Sequence, residues 1–118
     1  MKDLLRRFLG ILKVELEDLE DDIGDLLELC QRRKNHQEIS DYVYQENKTL
    51  LLNEIAALKS LIHSLDGLDT GRFATQQQMF QEVDQLIHAR TRESAFPEAV
   101  YSLVKRRLDK VAQYLLQQ

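Results

Sequence analysis

The sequence predicts an all-α protein, an antiparallel helical bundle built from two long helices and two shorter ones. Leu occurs 21 times in 118 residues, whereas Pro occurs once and Gly four times, so the composition favours helices and supplies few turns. Apolar residues also recur at alternating steps of three and four, which is the periodicity of a helix with one buried face. The length suits a single domain covering residues 1–118.

The first helix is predicted over residues 3–33, with Asp3 as its N-cap. Its apolar positions form a heptad seam, which is sustained over more than three heptads and is typical of coiled-coil packing. The seam consists of Leu5, Leu9, Leu12, Leu16, Leu19, Ile23, Leu26 and Cys30. Gly10 and Gly24 lie inside this helix and are either points of close packing or weak spots.

The second long helix is predicted over residues 37–66, after a turn at residues 34–36 in which Asn35 suits the left-handed conformation. Gly67 is placed to end this helix. Its seam consists of Leu51, Ile55, Leu58, Ile62 and Leu65. Two helices of similar length with a short connection are expected to fold back as an antiparallel hairpin.

Two shorter helices are predicted over residues 75–92 and 98–116. Thr75 and Gln78 have the spacing of a capping box, which marks the start of the third helix. Pro97 suits the first position of the fourth helix.

A break at residues 93–97 decides the topology. An unbroken helix over residues 75–116 would be about 60 Å long and would overshoot the hairpin by about 15 Å. A turn at the break lets both short helices pack on the long pair. A four-helix bundle is therefore the first choice, and a kinked three-helix bundle is the second.

Several apolar residues of the first helix lie outside its seam and define the candidate partner-binding surface. These residues are Leu4, Phe8, Ile11, Val14 and Leu29. A helix in a simple pair buries only one seam, so this surplus edge needs a second neighbour. Either the two short helices cover it within the chain, or it binds a protein partner or a second copy.

Charge is unevenly distributed along the chain. Residues 1–69 carry 15 acids and 9 bases, whereas residues 70–118 carry 5 acids and 7 bases. An acidic stretch at residues 15–28 and a basic cluster at residues 105–110 are the extremes. The acidic stretch is either a solvated face or a surface that meets the basic cluster or a basic partner.

Nucleic-acid binding is the alternative functional hypothesis. Its candidate residues are Arg90, Arg92, Arg106 and Lys110. An acidic net charge and the lack of interleaved aromatic residues argue against this interpretation.

No motif for catalysis, a cofactor or a metal is evident, and no small-molecule substrate is indicated. His36, His63 and His88 lack the Glu-x-x-His spacing of dimetal bundles, and no nucleotide-binding glycine loop occurs. Cys30 has no second Cys with which to form an internal disulfide. We expect a cytoplasmic, non-enzymatic protein without membrane attachment.

The function predicted from these observations is a non-catalytic protein–protein interaction module of the adaptor, chaperone or assembly-factor kind. It would use an apolar helix face to bind a partner or to form a homodimer. This prediction rests on the sustained heptads and on the surplus apolar edge of the first helix.

Overall fold

The computed structural model describes residues 2–69, 71, 73–93 and 98–116, with the side chains of residues 3–69, 71, 73–90 and 100–115. This part of the chain forms four helices and no strands. The helices are α1 (Lys2–Asn35), α2 (Asp41–Asp66), α3 (Gln76–Glu93) and α4 (Glu98–Leu116). The predicted all-α bundle is confirmed, and α3 and α4 occur as two helices.

The connection between α1 and α2 differs from the prediction. Gln37, not Asn35, is the left-handed residue, with φ 60°. Its N–H donates to the Lys34 carbonyl at 3.0 Å, and the Glu38 N–H donates to the Arg33 carbonyl at 2.8 Å. These two hydrogen bonds form a Schellman motif, and α1 ends at Asn35, two residues later than predicted.

Helix α2 therefore begins at Asp41, four residues later than predicted. Ser40 is its N-cap, and the Ser40 side-chain oxygen accepts a hydrogen bond from the Val43 N–H at 3.1 Å. Gly67 follows the last residue of α2 as predicted, but with φ −84° it is right-handed.

The start of α3 is capped largely as the sequence predicts. The Thr75 hydroxyl oxygen accepts from the Gln78 N–H at 3.2 Å. The Gln78 side-chain oxygen accepts from the Ala74 N–H at 3.0 Å, one residue before the expected donor. The predicted role of Pro97 falls outside the described residues.

One apolar core joins all four helices. Phe8 of α1 and Phe80 of α3 are in tilted ring contact, with centroids 4.6 Å apart. The buried core residues are Leu5, Phe8, Leu12, Leu16, Leu19, Ile23, Leu58, Leu61, Ile62, Leu65, Met79, Val83, Ile87, Val100, Val104, Leu108, Val111 and Leu115. These residues come from one face of each helix, as the heptad seams require.

Polar contacts link the helices in antiparallel pairs. Between α1 and α2, the ammonium of Lys13 lies 2.8 Å from the Asp66 carboxylate and that of Lys34 lies 3.1 Å from the Asp41 carboxylate. Between α3 and α4, Lys105 donates to Asp84 at 2.8 Å. None of the helices in the described part of the chain has both the length and the apolarity needed to cross a bilayer.

The hairpin is longer than the two helices that pack on it. At about 1.5 Å per residue α1 is about 51 Å long, whereas α3 and α4 are each under 30 Å. The buried residues of α1 end at Ile23, and those of α2 resume at Glu54, with Tyr44 alone buried before it among the described side chains. We call residues 24–35 and 41–53 the distal arm, and the rest of the four helices the body.

Candidate interaction surface

The structure divides the predicted partner-binding residues between the core and the surface. Phe8 is completely buried against Phe80, so the prediction that its side chain faces a partner is wrong. Leu4 and Ile11 are half-buried and pack against the core. For Phe8 and Ile11 the second neighbour is supplied within the same chain, by Phe80 of α3 and by Val111 and Tyr114 of α4.

Val14 and Leu29 have different surroundings. Val14 is 56% exposed, on the side of α1 away from the hairpin seam. Leu29 is half-buried and lies in the distal arm, beyond the last buried residue of α1. Of the five predicted residues, Leu29 alone lies in the part of the hairpin that the body does not cover.

Other apolar residues of the distal arm are more exposed than Leu29. Leu26 and Leu50 are each 50% exposed, and Val43 is 40% exposed. A fully buried Leu side chain contributes about 1.5–3 kcal/mol relative to an exposed one, so these positions leave hydrophobic free energy unused. The distal arm is therefore the main exposed apolar surface of the described hairpin.

The arrangement of these residues follows from helix geometry. Residues 18 apart lie on the same side of an α-helix, because 18 residues make five turns. In α1, Leu26 lies five turns from Phe8, and Leu29 lies five turns from Ile11. The side of α1 that α3 and α4 cover in the body therefore continues along the distal arm.

The same relation holds in α2. Val43 lies five turns from Leu61, which is fully buried, and Leu50 lies within about 20° of Leu61 around the helix axis. In an antiparallel hairpin the covered sides of both helices face the same way. Leu26, Leu29, Val43 and Leu50 thus lie on one apolar face of the distal arm, which we call the arm face.

The sequence contains a signal that could have identified the arm face. The predicted hairpin is longer than either short helix, so one part of it had to remain without a third and fourth helix. The heptad pattern alone places Leu26 in the seam of the first helix and does not distinguish the covered part of the hairpin from the uncovered part.

Glu54 marks the boundary between the arm face and the core. It is 8% exposed, and it is the buried charged residue among the described side chains. Burial raises the pKa of its carboxyl group above the ordinary value, because the ionised form loses solvation.

The acidic stretch of α1 and the basic cluster of α4 meet each other. Arg107 donates to Glu15 at 2.6 Å, and Lys110 donates to the same carboxylate at 3.1 Å. The guanidinium of Arg107 also lies 3.8 Å from Asp22. The hydrogen bond from Arg107 lowers the pKa of Glu15 most, with a further contribution from Lys110.

The candidate nucleic-acid residues do not form one described patch. Lys110 is paired with Glu15, and Arg106 is exposed on α4. Arg90 belongs to α3 and has an interaction of its own. The side chain of Arg92 lies outside the described residues. Nucleic-acid binding stays a prediction, and the charge of one candidate residue, Lys110, is already paired with Glu15 of α1.

His88 takes part in a contact between α3 and α4. The His88 ring lies 2.7 Å from the Tyr101 hydroxyl, and its Nε2 lies 3.7 Å from the Asp84 carboxylate. Asp84 is itself paired with Lys105. In the described part of the chain, no three His, Cys, Asp or Glu side chains are grouped in a way that could hold a metal ion.

The surface clefts are shallow and follow the helices. A cleft of about 280 Å³ between α1 and α4 is lined by Ile11, Glu15 and Tyr114, among others. A larger open groove of about 520 Å³ runs along α2 in the distal arm, from Tyr42 to Asn53. Helix residues line both clefts.

The chain matches no protein-family model, no curated protein and no solved structure at a significant level.

Proposed function

We propose that this chain is a non-catalytic protein–protein interaction module, of the adaptor, chaperone or assembly-factor kind, whose binding surface is the arm face. The observation that supports the proposal is that one apolar side of the hairpin is covered by α3 and α4 in the body and uncovered in the distal arm. Contiguous exposed apolar surface on a small protein usually marks an interaction site.

The division of the hairpin supports this role. The body contains nearly all the described buried residues and can maintain the fold, while the arm projects about 18 Å beyond it. A helix pair with an apolar face is suited to accept one or two further helices, packed as α3 and α4 pack on the body.

Photo-crosslinking tests the proposal with a matched control. A photoreactive residue is placed at Leu26 in one full-length variant and at Val14 in another, two positions of similar exposure on different sides of α1. In an extract of the organism that encodes the chain, the variant at Leu26 is expected to form a discrete protein adduct, identified by mass spectrometry. Equal labelling at both positions, or none at Leu26, would contradict the proposal.

A further inference from the structure

We propose that the partner of the arm face is a second copy of this chain, bound antiparallel so that α1 of one copy packs against α1 of the other across a two-fold axis. This inference rests on the proposed function and names the partner of the same surface.

The strongest support is a self-complementary stripe on α1. Asp22, Leu26, Leu29 and Arg33 follow one another at steps of 4, 3 and 4, and they lie within about 60° of each other around the helix. The spacing is symmetric about the point between Leu26 and Leu29. Two antiparallel copies therefore bring Leu26 of each opposite Leu29 of the other, and Asp22 opposite Arg33.

The charges along α1 favour the antiparallel orientation over the parallel one. The last turn of α1 carries Arg32, Arg33 and Lys34, whereas every charged residue from 15 to 28 is acidic. Antiparallel pairing places the basic end of each copy beside the acidic stretch of the other. Parallel pairing would place like charges together, which is unfavourable.

Both charged residues of the stripe are available for pairing between copies. The side chains of Asp22 and Arg33 are 66% and 55% exposed. Their contacts within the chain are long, at 3.8 Å from Asp22 to Arg107 and 4.0 Å from Arg33 to Glu38. Each can therefore turn towards a partner at little cost in lost interactions.

The size of the arm face sets the strength of the dimer. An arm about 18 Å long and two helices wide offers a footprint of about 360 Å² per copy, or about 720 Å² in total, which is below the roughly 1,000 Å² of a stable specific interface and is typical of weak, transient contacts. We therefore expect a weak, reversible dimer that forms only at high protein concentration.

Sedimentation velocity of the purified full-length chain between about 5 and 500 µM tests the association. The wild-type chain is expected to shift from monomer to dimer over this range, whereas Leu26→Glu is expected to weaken the dimer at least tenfold. Val14→Glu, with the same chemical change elsewhere on α1, should dimerise like the wild type. A wild-type monomer at the highest concentration, or a dimer unaffected by Leu26→Glu, would overturn the inference.

A charge exchange tests the antiparallel register. Asp22→Arg and Arg33→Glu are each expected to weaken their own homodimer several-fold, because each places like charges opposite one another. An equimolar mixture of the two variants restores both pairs and should dimerise about as tightly as the wild type. If the mixture associates no better than either variant alone, the proposed register is wrong.

The outcomes separate this inference from the proposed function. A purified chain that stays monomeric but forms an adduct with a different protein at position 26 overturns the homodimer and leaves the interaction module standing. A chain that neither self-associates nor forms an adduct at position 26 overturns both.

Discussion

Glu15 is the carboxylate through which α4 is tied to α1. Its side chain is 19% exposed and accepts hydrogen bonds from both Arg107 and Lys110. A partly buried carboxylate with two cationic donors contributes more than an exposed ion pair, because less of the interaction is screened by solvent.

Replacement Glu15→Gln is expected to lower the free energy of unfolding by about 1–2 kcal/mol at pH 7. The folded pKa of Glu15 is depressed below 4.5, so its contribution is present above that value and is lost as the pH falls through the folded pKa. Urea unfolding at low protein concentration should therefore show a deficit at pH 7 that disappears in acid. Glu28→Gln, an exposed change on the same helix, should show no deficit; an equal deficit in both variants would contradict the role of Arg107.

The contribution of Glu54 to stability changes with pH in the opposite direction to that of Glu15. Burial raises the folded pKa of Glu54, so the folded state favours the protonated carboxyl group. The contribution of this group to stability is fully present below the unfolded pKa of about 4.5 and is lost as the pH rises through the folded pKa. At pH 7 the ionised carboxylate costs free energy, and Glu54→Gln is expected to raise the unfolding midpoint.

The gain from Glu54→Gln should shrink as the pH is lowered towards 4, where the wild-type carboxyl group becomes neutral as well. Thermal unfolding followed by circular dichroism across this range measures it, with Glu28→Gln again as the control. A gain that is independent of pH would show that the effect comes from side-chain packing and not from the charge.

At the scale of the element, the two glycines of α1 are weak spots. A Cβ built on Gly10 or on Gly24 meets nothing within 4 Å outside its own helix turn, so neither glycine allows a close approach. The alternative that they are points of close packing is therefore wrong.

Gly10→Ala and Gly24→Ala are each expected to raise the free energy of unfolding by about 0.5–1 kcal/mol, through helix propensity and the lower entropy of the unfolded chain. The double variant should show the sum, since the two positions lie about 20 Å apart along α1. Chemical denaturation measures both effects. A loss of stability in either variant would mean that the added methyl group meets a neighbour.

The end of α1 has a residue that is poorly suited to its conformation. Gln37 is left-handed, which costs a residue with a Cβ about 1 kcal/mol relative to glycine. Gln37→Gly is expected to raise stability by up to about 1 kcal/mol. Glu38→Gly, at a neighbouring exposed position where φ is not positive, should lower stability slightly. Equal effects of the two variants in urea unfolding would exclude the conformational explanation.

At the scale of the whole molecule, the sequence was sufficient for the helices and for their pairing. The heptad steps of α1 and α2 are a local property, and they predict the buried seam because helix periodicity alone decides which residues share a side. The predicted start of α2 is four residues too early because the Schellman motif uses Gln37, a residue with little preference for the left-handed conformation.

The interaction surface was less predictable. The apolar edge of α1 has the same residue types at Phe8 and Ile11 as it has five turns later at Leu26 and Leu29, so no local property separates covered from uncovered positions. The separation depends on how far α3 and α4 reach along the hairpin. That length is a tertiary property, and it is why the sequence leaves open whether Phe8 is covered within the chain and places Leu26 in the seam.

The division into body and arm predicts unequal local stability along a single pair of helices. Among the described side chains the arm buries only Tyr44, whereas the body contains the common core. Local opening of a segment costs less when few apolar contacts are broken. In dilute solution, where association is negligible, amides of residues 24–35 and 41–53 are expected to exchange with deuterium faster than core amides in the body halves of α1 and α2.

A core substitution distinguishes local opening from global unfolding. Leu61→Ala should lower the stability of the body by about 2–5 kcal/mol, since Leu61 is fully buried. It should therefore accelerate exchange of the core amides in the body, which depends on global unfolding, and leave most arm amides unchanged, because they already exchange through local opening. Arm and body amides that exchange at one common rate, and respond equally to Leu61→Ala, would show that the hairpin opens as one cooperative unit and that the arm has no separate stability.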